Sequence, residues 1–150
     1  MVTVDSGVVF DFPESWDRFT EGSRCVFHTP LQEEIIASAT TISGHAPESD
    51  RAKALEHLFA NALEAARRGS SAPGLKVTKP IAEEPDLCEF RCATVSANAT
   101  AGNAFFGQAV IQHPRGVVFL TYEAPFVHGA EQTFRDLLKR IHAHSPQPER

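Results

Sequence analysis

The stretch that most restricts this chain is Ala104–Ala124, AFFGQAVIQHPRGVVFLTYEA. Two runs rich in aromatic and β-branched residues flank His113-Pro114-Arg115-Gly116, where Pro presets φ at the second turn position and Gly relaxes the fourth. With those four residues as the loop, Gln112 faces Val117 and the rest of the register follows. Ile111/Val118, Ala109/Leu120 and Gly107/Tyr122 then make an apolar face. Gln112/Val117, Val110/Phe119, Gln108/Thr121 and Phe106/Glu123 make a mixed one. A slip of one residue would exchange the faces, so the pattern itself selects the register. Burying Ile111, Val118, Leu120 and Tyr122 contributes roughly 1.5–3 kcal/mol each before entropy is charged. This hairpin is expected at the centre of an antiparallel sheet.

The other elements follow in order. Val8–Phe12 reads as a short strand closed by Pro13-Glu14-Ser15-Trp16, with the sole Trp plugging the core edge. Gly22-Ser23 marks a turn, Arg24–His28 a second strand and Glu34–Ile42 a third, with a loop from Gly44 to Pro47. From Ser49 the period becomes helical: Ala52, Leu55, Leu58/Phe59, Ala62/Leu63 and Ala66 recur over five turns. Ser49 or Asp50 is expected to cap this helix, Arg67 and Arg68 to suit its C-terminal end, and Gly69 to stop it. Leu75–Glu83 reads as a strand whose Pro80 demands an edge position or a bulge. Leu87–Ser96 alternates Cys88, Phe90, Cys92 and Thr94 against Glu89, Arg91, Ala93 and Val95, as a half-buried strand does. A second helix is expected from Gly129 to His144, buried through Phe134, Leu137, Leu138 and Ile141, followed by a frayed tail from Ser145 or Pro146 to Arg150. The expected fold is α+β: an antiparallel sheet of six to seven strands flanked by two main helices.

At 150 residues the chain is expected to be one domain over residues 1–145, large enough for a core without staples. The net charge of −5 leaves no electrostatic footprint for nucleic acid or an anionic membrane, so neither is an expected partner. MVTVDSGVVF has neither a basic n-region nor a long apolar core, and the cysteines number three. Both features point to a reducing, cytoplasmic setting. Cys88 and Cys92, four apart in an expected strand, share a face but lie too far along it to bridge. Like Cys25, they are expected to be small buried hydrophobes.

Little supports bond chemistry. His28, His45, His57, His113 and His128 are spread one per element, and His142 and His144 do not share a helix face. These histidines are expected to be solvated or capping, with no metal or cofactor site. There is no G-x-S-x-G elbow, and Gly102 and Gly107 bracket a strand instead of opening a helix. Arg24 is expected to point away from Cys25, leaving that thiol without a cation to activate it. Glu33/Glu34 and Glu83/Glu84 are sequence neighbours that splay, which suits rim charge.

The mixed face of the hairpin remains. Phe106, Val110, Val117 and Phe119 interleave there with Gln108, Gln112 and Thr121. Either a helix covers this face, or part of it stays open as an apolar surface with polar selectors for a partner segment. These seven residues are the candidate partner-binding set.

In layout the chain resembles the PsbP-like α/β/α sandwich superfamily. The resemblance rests on Phe12–Trp16 (FPESW), the helix at Asp50–Arg68, Gly74–Val77 (GLKV), the hairpin at Phe105–Pro125 and the closing helix. It spans nearly the whole chain, and its one short motif is P-x-x-W. Within the superfamily, the chain looks most like small bacterial proteins associated with type VI secretion effectors. That resemblance implies a cytosolic, non-enzymatic chaperone that cradles an effector's hydrophobic segments on its sheet, often as a dimer. It carries over no catalytic residue. The alternatives are a small-molecule binder or enzyme on a cupped sheet, and a toxin-immunity protein whose Glu33/Glu34 or Glu83/Glu84 meet a basic partner.

Overall fold

The computed structural model describes residues 2–4, 8–42 and 47–143. Five strands come first: β1 (Val2–Val4), β2 (Val8–Phe10), β3 (Asp17–Glu21), β4 (Arg24–His28) and β5 (Glu34–Thr41). Helix α1 (Glu48–Ser70) leads to β6 (Leu75–Glu83), β7 (Arg91–Ala99), β8 (Phe105–His113) and β9 (Gly116–Ala124). Helix α2 (Ala130–Leu138) and β10 (Ile141–Ala143) close the described chain. Seven strands form one antiparallel sheet in the order β3-β4-β5-β9-β8-β7-β6, and β1-β2-β10 form a small second sheet. The fold is α+β, with the β8–β9 hairpin inside the large sheet.

The hairpin register is the one its alternation dictates. Gln112 pairs with Val117, Ile111 with Val118, Ala109 with Leu120 and Gly107 with Tyr122. The apolar face packs Ile111, Leu120 and Tyr122 against Phe134 and Leu138 of α2 and Phe10 and Ile141 of the small sheet. The opposite face packs Val110, Val117, Ala93 and Val95 under Phe59 and Ala66 of α1. The sheet is therefore a middle layer between the two helices. Gly107 is needed where Phe134 crosses it, since a Cβ there would lie 2.9 Å from that ring. The ring in turn stacks on Tyr122 at 5.9 Å.

Long-range pairing moves several boundaries. Expected helical residue Ile141 belongs to β10, opposite Phe10 of β2, because the chain turns at Lys139-Arg140. Residues 87–90 bend instead of extending, and β7 runs on to Ala99. Helix α1 starts after Pro47 and passes through Gly69, where a Cβ would lie 3.0 Å from the Gln108 amide oxygen. Strand β3, all of it exposed, forms because Gly22 at φ 61° turns it back onto β4. Pro80 lies in edge strand β6, which also carries register shifts between Val77 and Ala82. Both sheet edges are defended against further pairing, β3 by Asp17, Arg18 and Glu21 and β6 by Lys76, Lys79 and its proline. The expected tail, residues 43–46 of the expected loop, and His45 and His144 lie outside the described residues.

Candidate binding surface

Helix α1 lies across β6, β7, β8 and β9. Its seat includes much of the mixed hairpin face, and this corrects the candidate set. Val110 is fully buried, and Val117 and Gln108 are buried beside it. Val110 and Val117 are core, because the apolar stripe of α1 needs an apolar sheet face beneath it, and Gln108 is buried with them where Gly69 leaves room for its amide. Gln112 is half-buried and accepts a hydrogen bond from Arg91 Nη1 at 3.3 Å. The same guanidinium lies 4.2 Å from the Phe59 ring centre and 2.9 Å from Glu56, so it clamps α1 to the sheet. Phe106, Phe119 and Thr121 remain half-buried at the border of the covered area.

Beyond that border the sheet face continues over β5, β4 and β3. Pairing places Thr121 beside Ile36, Ile36 beside Val26, and Val26 beside Phe19. Phe19 is 50% exposed and Ile36 half-buried. This row, with Phe119 and Phe106 at its inner side, continues the face on which α1 sits.

A second row runs parallel to it at the sheet end. Asp17 pairs with His28, His28 with Glu34, Glu34 with Glu123, and Glu123 with Phe106. Glu34, Glu123, Phe106, Leu75 and Ala99 line an open cleft of about 470 Å³ there. Two carboxylates directly opposite each other repel. Partial burial pushes the Glu123 carboxyl above its usual range, and Glu34 adds to the shift. His28 Nε2 sits 2.9 Å from Glu34 Oε2, and its ring meets Phe19 edge-on at 5.8 Å. The row is acidic, partly apolar and open to water.

Glu33 departs from its expected rim role. It is buried and accepts hydrogen bonds from the Thr29 hydroxyl at 2.8 Å and from Tyr122 OH. Burial first, and the Glu33 carboxylate second, keep Tyr122 protonated. This network anchors the 29–33 turn, where Gln32 adopts φ 64°. His113 is likewise buried and not solvated. Its Nδ1 accepts the Arg115 N–H at 3.2 Å, and burial with Arg115 nearby lowers it to about 4. Glu83 and Glu84 do splay, to Arg91 and Arg135 respectively.

Phe19, His28, Glu34 and Ile36 were not in the candidate set, and only strand pairing joins them to Phe106, Thr121 and Glu123. Among the described residues no group of three or more His, Cys, Asp or Glu side chains could hold a metal ion, and no helix is long and apolar enough to cross a membrane.

No family model and no curated protein matches the chain. Its structure is similar to that of a Bacteroides thetaiotaomicron VPI-5482 protein, with a TM-score of 0.60 at 10% identity over 100% of this chain and 50% of that one. The chain thus spans half that protein's length. It is also similar to LpqN, a protein involved in cell envelope biogenesis of Mycobacterium tuberculosis, with a TM-score of 0.52 at 14% identity over 89% of this chain and 79% of LpqN. At these identities the likeness establishes the α+β fold.

Proposed function

We propose that this chain is a non-enzymatic protein-binding module that holds an extended segment of a partner against the β3–β5 half of its sheet. The observation that carries this reading is the row Phe19–Val26–Ile36–Thr121, apolar except for Thr121 and closed to solvent only at Val26, which continues the sheet face beyond the seat of α1. The adjoining Glu34/Glu123 row gives the partner its chemistry: apolar side chains at alternate positions, with a Lys or Arg that neutralises the paired carboxylates. In its finer form, drawn from the type VI resemblance, the partner is a secreted effector held in the cytoplasm before export. The charged edges of the sheet disfavour edge-to-edge dimers, so a homodimer would use a face. Glu33 points into the core, which removes it from any immunity-type contact.

Peptide-display selection against the immobilised chain tests the reading. It expects enriched peptides with alternating apolar residues and a basic one, whose affinity falls at least about tenfold in Phe19→Asp and Ile36→Arg variants. Absence of enrichment, or binding indifferent to both substitutions, refutes it. A small cationic ligand is the second reading, favoured by the cleft at Glu34 and Glu123. It predicts binding lost in Glu123→Gln but kept in Phe19→Asp.

A further inference from the structure

The cleft at the end of the sheet has two unlike halves. Register places Glu34 of β5 directly opposite Glu123 of β9, and Glu123 opposite Phe106 of β8. On the same face of the sheet, Ala99 of β7 pairs with Leu75 of β6. All five residues line the one space, with Ala104 beside them. Its floor therefore changes from acidic to apolar over three strand steps, about 14 Å from Glu123 to Leu75.

The acidic half lacks a cation. His28 Nε2 occupies one oxygen of Glu34, at 2.9 Å, and among the described residues the other oxygen is free. Glu123 has no hydrogen-bond or ion-pair partner among the described residues, and the residue directly opposite it is another carboxylate. Two such groups repel until a positive charge lies between them. An inorganic ion would use this half alone. The apolar half, where Phe106, Ala99, Ala104 and Leu75 are each half-buried, calls for a carbon body attached to the charge. That body extends beyond the reach of a lysine stem, which has only four methylenes.

We propose that the cleft binds an amphiphilic primary amine, a single ammonium group on an alkyl or arylalkyl chain of about eight carbons. The ammonium donates one hydrogen to Glu34 and one to Glu123, and its third stays in water at the open side of the cleft. The chain lies over Phe106 toward Ala99 and Leu75. This names the ligand of the small-cation reading above and rests on it; it makes no use of Phe19, Val26 or Ile36.

The test titrates the ¹⁵N-labelled full chain with n-octylamine, n-butylamine and n-octanol at pH 7 and follows backbone amide shifts. Octylamine is expected to shift Glu34, Glu123, Phe106 and Leu75 saturably. Burying a methylene fully is worth about fourfold in affinity and half-burying it about twofold, so butylamine, four methylenes shorter, should bind at least about tenfold more weakly. Octanol, which lacks the charge, should also bind at least about tenfold more weakly. Glu123→Gln should weaken octylamine at least about fivefold, and Phe19→Asp should leave it unchanged. Equal affinity for octylamine and butylamine overturns the proposal and leaves the small-cation reading standing, because charge alone is then recognised. Binding of neither amine overturns both. Octanol binding as tightly as octylamine, or shifts centred on Phe19 and Val26, also overturns it. The three ligands on the wild-type chain decide alone if a variant fails to fold.

Discussion

Truncating Val110 and Phe19 separately distinguishes the hairpin face covered by α1 from the open β3–β5 face. Val110 lies at 0% exposure beneath α1, whereas Phe19 is 50% exposed on β3. Val110→Ala removes two methyl groups worth about 0.8 kcal/mol each, and incomplete collapse around the gap raises the loss to about 2–3 kcal/mol. Phe19→Ala gives up only part of a half-buried ring, about 1 kcal/mol. Urea unfolding followed by far-UV circular dichroism measures both. With a slope near about 2 kcal/mol/M, Val110→Ala should lower the midpoint by about 1–1.5 M at unchanged slope, and Phe19→Ala by no more than about 0.5 M. A Val110→Ala midpoint within about 0.2 M of wild type would mean that α1 does not seat on the hairpin. The division between core and open face would then be wrong.

Three further outcomes follow from the same geometry. His113 is depressed to about 4 by burial and by Arg115, so the folded state resists its protonation; its contribution is complete above about 6.5 and is lost as pH falls toward about 4, and His113→Leu should flatten that acid limb in pH-dependent unfolding. The Glu123 carboxyl is raised, so stability is fullest below its ordinary value and declines as pH rises through the folded one. Glu123→Gln should therefore gain a few tenths of a kcal/mol at neutral pH after solvent screening, and little at pH 4. Gly107→Ala should lower Tm by several degrees through the Phe134 clash, although Ala is otherwise the better strand residue; an unchanged Tm would place that ring elsewhere.

Local pattern revealed the centre of this fold and not its margins. The β8–β9 register was legible because a two-residue period, a Pro-Arg turn and a strict face segregation agree on a single pairing. Helix α1 was legible from its period, and β6 as an edge from Pro80. Strand β3 was not, because Asp17–Glu21 alternates no apolar face and exists by pairing with β4. Ile141 continued the α2 stripe at helical spacing, so only its partner Phe10, far away in sequence, distinguishes strand from helix. The same limitation explains the surface. Glu34 and Glu123 are 89 residues apart, and nothing local in either segment announces that β5 lies against β9. Cys88 and Cys92 were assigned to one strand from alternation alone, yet Leu87 turns inward to the core and the segment bends around it.

Photo-crosslinking bears most directly on where a partner lies. A benzophenone amino acid placed at Ile36, or at Ala65 on the exposed side of α1, would be irradiated with a peptide enriched by selection. Adduct at Ile36 with little at Ala65 is the predicted result. Equal or greater adduct at Ala65 would contradict binding on the β3–β5 face.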